Sequence, residues 1–600
     1  MTTTENPLGW VDFIVMSVML VAAAGMGIYH GVARGGQKTT KRFFLADRNV
    51  YGLAIAMTLL ASFISPVTLL GIPAEIYTYG GQYLAFTLTQ SLLFPTIALV
   101  FVPVFHGLDI TTAYEYLQLR YGLPLRILGA CLFILQTCFY MAIVTYTPAL
   151  AIEAVTAFDL WKTILITGVV CTFYTTLGGM KAVIWTDVMM FFVIFITCIL
   201  VIVMGTAEAG GVSHVWETNK EAGRLNLFEF PFDPTVRMTF LGAVFGTWLN
   251  SLPLWAVGQT AVQRFLAAKS VRHAKLSVWL NLPFSTALVA IACVEGLVLY
   301  AFYNEPSELF PTEAVYSREI GTAPSNVTYP TTHGNTPPSP PDLDKSDQIL
   351  MYFVSEQFGH IPGYQGLFIS CLFAGALSTV SSGLNAIVAV ILVDIYKPLK
   401  KLIAERRHKQ FVENDAHNTL IAKVLTFAFG AFTIVLSFTA SKLGTLITIA
   451  NSMFGALGGP LVATFLLGMF WKRANTWGVL IATLISFALG AWISAGSFLN
   501  REALILYQIS FNWYATLTIS TTVLLAVPLS ELFRYLIPAE QSKKVDPKLL
   551  ATFIRPKMTD NEVRTSNVFI DSKKKKKSLE STEQELEEHE LNSCVSKEHQ

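Results

Sequence analysis

MTLLASFISPVTLLGIP, residues Met57 to Pro73, is apolar enough to lie in a membrane and carries Ser62, Ser65, Pro66 and Thr68 at its middle. Pro66 has no amide hydrogen, and its ring clashes with the preceding turn, so a helix here should break. A break in lipid strands backbone carbonyls and amides, which is tolerated where they line a cavity or hold a ligand. Carbonyls freed near Ala61 and Ile64 make the negative end of one half-helix, and amides freed near Thr68 the positive end of the next. One end suits a cation and the other an anion. The plainer alternative is a proline-kinked helix that binds nothing.

Composition agrees with a membrane setting. The 600 residues are 53% hydrophobic and 14% charged, with a mean hydropathy of +0.51, where soluble domains carry about 25% charge. Read in windows of about 19 residues, the chain predicts thirteen helices, at 10–30, 50–78, 83–105, 124–152, 161–178, 183–206, 238–262, 275–303, 365–393, 419–441, 446–470, 476–498 and 511–535. The fold class is therefore an all-α polytopic membrane protein. Net charge is +1 and no basic stripe with interleaved aromatics occurs, so no nucleic-acid partner is expected. Six of the seven cysteines (Cys131, Cys138, Cys171, Cys198, Cys293 and Cys371) fall in apolar runs and Cys594 in the tail, which argues against a disulfide framework. No CxxC, HExxH, GxSxG or Walker pattern is present, so neither an enzyme nor a cofactor is expected. The first ten residues lack the basic region of a signal peptide, and the first apolar run reads as a retained helix.

Lysine and arginine set the orientation. Alternate loops hold Arg34 to Arg48, then Arg264, Lys269, Arg272 and Lys275, then Lys397 to Lys409, then Lys472 and Arg473. Positive loops stay cytoplasmic, which puts the N-terminus outside and, after thirteen crossings, the C-terminus inside. The N-x-S/T sequon Asn326-Val327-Thr328 then falls outside, in a loop that includes TPPSPPD at 336–342. The expected organisation runs as follows. Residues 1–49 hold the extracellular N-terminus, first helix and cytoplasmic loop, 50–206 a first repeat and 207–237 an extracellular loop. Residues 238–470 form a second repeat with the loop at 304–350 glycosylated at Asn326, 471–535 two trailing helices, and 536–600 a disordered cytoplasmic tail.

A second interruption stands in the seventh helix, where Trp248-Leu249-Asn250-Ser251-Leu252-Pro253 places polar residues and a proline mid-span. It comes five helices after the first. A five-helix repeat inverts its successor, and paired interruptions in two halves point to a transporter's binding site.

At 174–187 the chain reads YTTLGGMKAVIWTD, which resembles the signature of the sodium:solute symporter family. GRLNLFEF (223–230), VQRFLAAKS (262–270), YTPALAIEAVTAFDLW (146–161), ALSTVSSGLNAIVAVILVDIY (376–396) and GPLVATFLLGMF (459–470) resemble its branch of sodium-coupled monocarboxylate, multivitamin and iodide transporters. The resemblance covers about residues 8–535. It implies the leucine-transporter-like fold of inverted five-helix repeats (helices 2–6 and 7–11), with sodium as the coupling ion.

On the ninth helix Gly375, Ser378, Thr379 and Ser382 share one face at i, i+3, i+4, i+7, which also suits a packing seam between helices. The resemblance implies a sodium site from the carbonyls of Ala61 and Ile64 and oxygens of Gly375, Ser378 and Thr379. It places Asp187 on the sodium exit path, and an ionisable residue inside a span is a functional candidate by default. Asp394 ends the ninth helix and reads as a cytoplasmic cap or gate partner. For substrate, Thr68 matches the threonine of monocarboxylate members, where iodide transporters are expected to carry glutamine. A hydroxyl with helix N-terminal amides can hold a carboxylate. By resemblance Phe86, Gln90, Tyr146 and Trp255 line the cavity, and Phe454 and Leu457 close it. Glu295 departs from the branch, which usually carries an uncharged residue there. A carboxylate so deep in an apolar run is protonated, paired, or facing water.

The expected function is sodium-coupled import of small organic monocarboxylates across the plasma membrane by alternating access. A sodium-coupled iodide or vitamin transporter, or a sodium-gated sensor or leak channel, remains an alternative. Expected partners are sodium ions, a small anionic substrate and membrane lipid, with a homo-oligomer left open.

Overall fold

The computed structural model describes residues 8–32, 44, 48–108, 110–156, 158–227, 233–303, 345–408, 415–440, 444–537 and 545–554. Asn326 and most of the tail lie outside them. Met1–Thr552 forms one compact unit and Phe553–Gln600 a second.

The first unit is helical along nearly its whole described length. In chain order come α1 (Trp10–Val32), α2 (Gly52–Phe63), α3 (Pro66–Tyr79), α4 (Gly81–Gly107), α5 (Ala113–Arg120), α6 (Leu123–Val155), α7 (Leu160–Glu208) and α8 (Val212–Glu221). The second half holds α9 (Thr247–Trp255), α10 (Gln259–Ala267), α11 (Val271–Tyr303), α12 (Ile349–Phe358), α13 (Tyr364–Arg406), α14 (Asp415–Ala440), α15 (Leu446–Phe470), α16 (Thr476–Leu499) and α17 (Tyr514–Leu536). Among the described residues nine helices are long and apolar enough to cross a membrane, or ten with the bent pair α2/α3 taken as one. Burial orders them. Of the apolar window of α13, 89% is inside the protein, against 28% for α14. The first is the central helix. The second turns Leu420, Val424, Phe427 and Val435 outward, as a helix bathed in lipid can.

The count of thirteen helices is not confirmed. The expected fifth and sixth helices run on as α7, 49 residues without a gap at 179–182. The first break is where proline puts it. α2 and α3 meet at 58°, with Ile64 at ψ 87° and Ser65 at ψ 166°.

The second break is displaced. It was expected at Asn250–Pro253, but α9 carries Pro253 within it and ends only after Trp255. The amides of Ala256 and Val257 both reach back to Leu252 O, at 2.9 and 3.3 Å. The chain then leaves the helix at Gly258, where a Cβ would lie 2.6 Å from Leu254 O and 2.9 Å from Pro253 O. Backbone atoms cannot yield as a side chain can, so Gly258→Ala is expected to cost about 1–3 kcal/mol, read as a lower melting temperature of the purified protein.

Four π-turns interrupt the helices, at Ile97–Phe101, Gly242–Gly246, Ile391–Tyr396 and Phe454–Gly458. Such turns recur at functional sites. The expected free tail is also corrected. Within it Pro547–Leu549 forms a turn, and Leu549, Leu550 and Ala551 are buried. Leu549 O accepts from Tyr116 Oη at 3.1 Å, and Ala551 N donates to Met469 O at 3.1 Å.

Candidate functional site

Pro66 has no amide to give the carbonyl four residues back, which belongs to Ser62. Thr379 Oγ1 on α13 donates to that carbonyl instead, at 2.9 Å. Gly375, one turn earlier on α13, brings the helix against the bend. A Cβ there would sit 3.2 Å from both Ile64 O and Pro66 Cδ. The five residues expected to hold sodium, Ala61, Ile64, Gly375, Ser378 and Thr379, are all buried at this α2/α13 contact. The hydroxyls of Ser378 and Thr379 engage protein partners, and the carbonyl that Thr379 meets is that of Ser62.

Below the bend lies a buried polar cluster. Asp187 on α7 is fully buried. Its Oδ1 accepts from Ser378 Oγ at 2.6 Å. Its Oδ2 accepts from Ser62 Oγ at 3.1 Å, from Arg264 Nη2 at 2.9 Å and from Thr58 Oγ1. Ser62 Oγ also lies 3.2 Å from Ser378 Oγ and 2.9 Å from Ser382 Oγ. Asp187, expected apart from the α2/α13 site on an exit route, thus shares Ser378 with it.

Arg264 corrects the sequence reading most. Sorted there with the cytoplasmic loop charges, it is 1% exposed, inside α10. Its Nε donates to Thr58 Oγ1 at 3.1 Å and its Nη1 to Thr260 O at 2.9 Å. Its Nη2 faces Ser62 Oγ at 2.5 Å, Ser382 Oγ at 2.6 Å and the Asp187 carboxylate. One signal was available, the apolar residues that continue past the arginine in VQRFLAA; in the structure α10 is buried at every position from Gln259 to Ala267.

A small cavity lies beside the bend, its walls including Ser62, Phe63, Gln136, Tyr140, Thr260, Thr379 and Phe454. Tyr140 Oη donates to Ser65 Oγ at 2.9 Å, and its ring lies 4.8 Å from that of Phe454. Of the seven expected substrate residues, Phe454 alone lines this cavity. Trp255 packs behind the wall, 4.3 Å from the Phe63 ring. Leu457 lies in the π-turn with Phe454. Thr68 is half-buried in α3, Phe86 packs on Tyr83 at 5.4 Å, and Gln90 is buried with Oε1 unpartnered. Tyr146 stands farther out, its hydroxyl 3.0 Å from Lys345 Nζ. Sequence reasoning missed Gln136 and Tyr140, which share a face of α6 at i, i+4.

Two ion pairs flank the site. Asp394 pairs with Arg126, whose Nε donates at 2.6 Å, and also accepts from Thr112 Oγ1 at 2.7 Å. Toward the other end, Arg237 grips Glu75 through Nε and Nη2, both at 2.8 Å. Near that pair Asp347 Oδ2 accepts the Leu446 amide at 3.1 Å. Burial pushes the Asp347 carboxyl up to about 6 against the pull of that amide, with the Glu75 charge adding to the rise. An unfolded aspartate releases its proton near 4 (about 3.9). Between about 4 and 6 the folded chain therefore holds the extra proton, and stability falls as pH rises through that window. Asp347→Asn keeps an acceptor for the amide without the charge. It is expected to flatten the pH 4–6 limb of a melting-temperature profile, and an unchanged slope would assign the limb to another group. Glu295 is buried in α11 with Oε1 unpartnered.

A broken helix whose stranded carbonyls meet hydroxyls of a central helix, beside an embedded cavity, defines a multi-pass secondary transporter. The sodium:solute symporter family model matches residues 43–331 and 339–486, and the chain belongs to that family. It is 37% identical to the sodium-dependent multivitamin transporter of Oryctolagus cuniculus, over 81% of this chain and 70% of that protein. It is 37% identical to sodium-coupled monocarboxylate transporter 1 of Homo sapiens, over 81% and 73%. The fold matches a sodium-coupled sialic acid symporter, solved substrate-bound and outward-open, with TM-score 0.70 at 23% identity over 88% of this chain and 98% of that one. The protein is thus a sodium-coupled solute symporter with sodium as its coupling ion, and not an enzyme.

Proposed function

We propose that this symporter imports small organic monocarboxylates such as lactate, pyruvate and short-chain fatty acids across the plasma membrane, with its N-terminus outside and C-terminus inside. The observation that carries this reading is the cavity lining. Hydroxyls of Ser62, Thr137, Tyr140, Thr260 and Thr379 and the amide of Gln136 stand among Phe63, Phe133, Met141 and Phe454, with no charged side chain among the lining residues. Such a wall suits an anion of one charge with an apolar body, its charge offset by co-bound sodium rather than by a buried arginine. Sodium binds at the α2/α13 contact through Ala61, Ile64, Gly375, Ser378 and Thr379, holding the two repeats together, and leaves past Asp187. Thr68, Phe86, Gln90, Tyr146, Trp255 and Leu457 meet the substrate as it enters or as the bundle rocks. A vitamin substrate is the second reading, favoured by the 37% identity to the multivitamin transporter.

The test is uptake of labelled pyruvate or lactate into expressing cells, in sodium and with choline replacing it, with biotin and iodide as competitors. Sodium-dependent uptake that biotin leaves untouched supports the reading. Normal surface expression without uptake sinks it.

A further inference from the structure

Arg264 Nη2 carries two hydrogens but stands within 2.5–2.9 Å of three oxygens, those of Ser62, Ser382 and Asp187. A guanidinium nitrogen cannot donate to all three. An all-oxygen cage with one acceptor to spare is what a hard monatomic cation takes up fully. The geometry points to Arg264 as a tethered cation that occupies the Asp187 cluster whenever sodium is absent and that sodium must displace to pass.

This rests on the reading of sodium release past Asp187 and adds what holds that station between ions. Three features support it. First, the cluster is buried and carries a single carboxylate, so it neutralises one cation at a time. Guanidinium and sodium together would leave a net buried charge, which is costly. Second, the cluster opens onto the cavity through shared residues, since Ser62, Thr260 and Thr379 line it. An ion from the cavity meets Ser62 and Thr379 before Asp187. Third, the arginine has somewhere to go. Nη1 already donates to Thr260 O in its own helix at 2.9 Å, and α10 is jointed to α9 at Ala256–Gly258, where the helix is open. In place, the guanidinium ties α2, α7, α10 and α13 together at one point. Displaced, it frees them, so ion occupancy and helix contacts are coupled.

A competitor tethered in the site lowers the apparent affinity of its rival. Removing it must tighten sodium binding, whereas removing a purely structural arginine must not. The experiment uses purified full-length protein and sodium titrations of thermal stability against choline, on wild type, Arg264→Gln, Arg264→Lys and the pair Asp187→Asn with Arg264→Gln. The expected result is a sodium midpoint about fivefold or more lower in Arg264→Gln, the lower end of ordinary coupling between two ligands. Arg264→Lys keeps the charge but not the fork and is expected to lie between that variant and wild type. In cells, Arg264→Gln is expected to keep sodium-dependent exchange with sodium on both sides and to lose net uptake, because release is slowed. A midpoint unchanged or raised in Arg264→Gln overturns the inference. Should that variant fail to fold, an unchanged or raised midpoint in Arg264→Lys does the same. A wild type with no sodium response would instead remove the underlying sodium reading, which keeps the two failures apart. The doubly neutral variant is expected to fold and to respond to sodium less than Arg264→Gln, and an equal response would place the competition away from Asp187.

Discussion

Asp187→Asn is expected to leave little folded protein at the cell surface, and adding Arg264→Gln is expected to bring it back. Asp187 is the carboxylate facing Arg264, which is 1% exposed. Breaking a buried pair from one side strands the other charge and costs about 3–5 kcal/mol, much of the about 5–15 kcal/mol that holds a domain folded. Asparagine keeps the size of the side chain and one acceptor oxygen, for Ser378, while its amide nitrogen can only donate, so the Thr58 hydroxyl must turn as well. Neutralising Arg264 as well removes the stranded charge. Surface labelling and melting temperature of the three proteins check this. A singly mutated protein as abundant and as stable as wild type would mean that the cluster is already open to water.

Ser378→Ala combined with Thr379→Ala is expected to abolish sodium-dependent uptake while protein still reaches the surface. Ser378 Oγ is 2.6 Å from Asp187 Oδ1, and Thr379 Oγ1 is 2.9 Å from the Ser62 carbonyl that proline leaves without an amide. Two oxygens that contact a bound cation are worth about 1.5–3 kcal/mol each, so the sodium requirement should rise by about 100-fold or more. Unlike Asp187→Asn, this change removes neutral groups beside a carboxylate that keeps its arginine, and folding is expected to suffer less. Thr426→Ala is the control, since Thr426 Oγ1 serves only Ala422 O of its own helix, at 2.9 Å. Normal sodium-dependent uptake in the double variant would remove the site assignment.

What the chain discloses by itself follows from where each signal resides. The break at Ile64–Ser65 is legible because a proline's missing amide acts on its own turn. The second break is legible only as a region. Pro253 is accommodated within α9, and the departure at Gly258 is set by carbonyls that crowd any Cβ, a three-dimensional fact. The expected sodium residues were implied by the resemblance, and what the sequence of α13 shows by itself is the local pattern, a face of small and hydroxyl residues at helical spacing. Arg264 was lost because sorting charges by loop treats every arginine near a helix end as solvated. Its burial depends on Asp187, 77 residues away. Most walls of the cavity beside the bend were not legible for the same reason. Which face of α6 looks inward, bringing Gln136 and Tyr140 to the bend, is decided by the packing of α13 and α15 and not by the sequence of α6.

The short turn at Pro547–Leu549 bears on anyone who wishes to shorten or label this molecule. Hydropathy invites a cut just after α17, near residue 537. Such a cut would take away Leu549 O, the acceptor of the buried Tyr116 hydroxyl, and the amide of Ala551 that closes on Met469. It would also remove the buried side chains of Leu549 and Leu550 and uncover the surface they cover. A fluorescent fusion or affinity handle belongs beyond residue 554, where the chain has finished docking against α5 and α15.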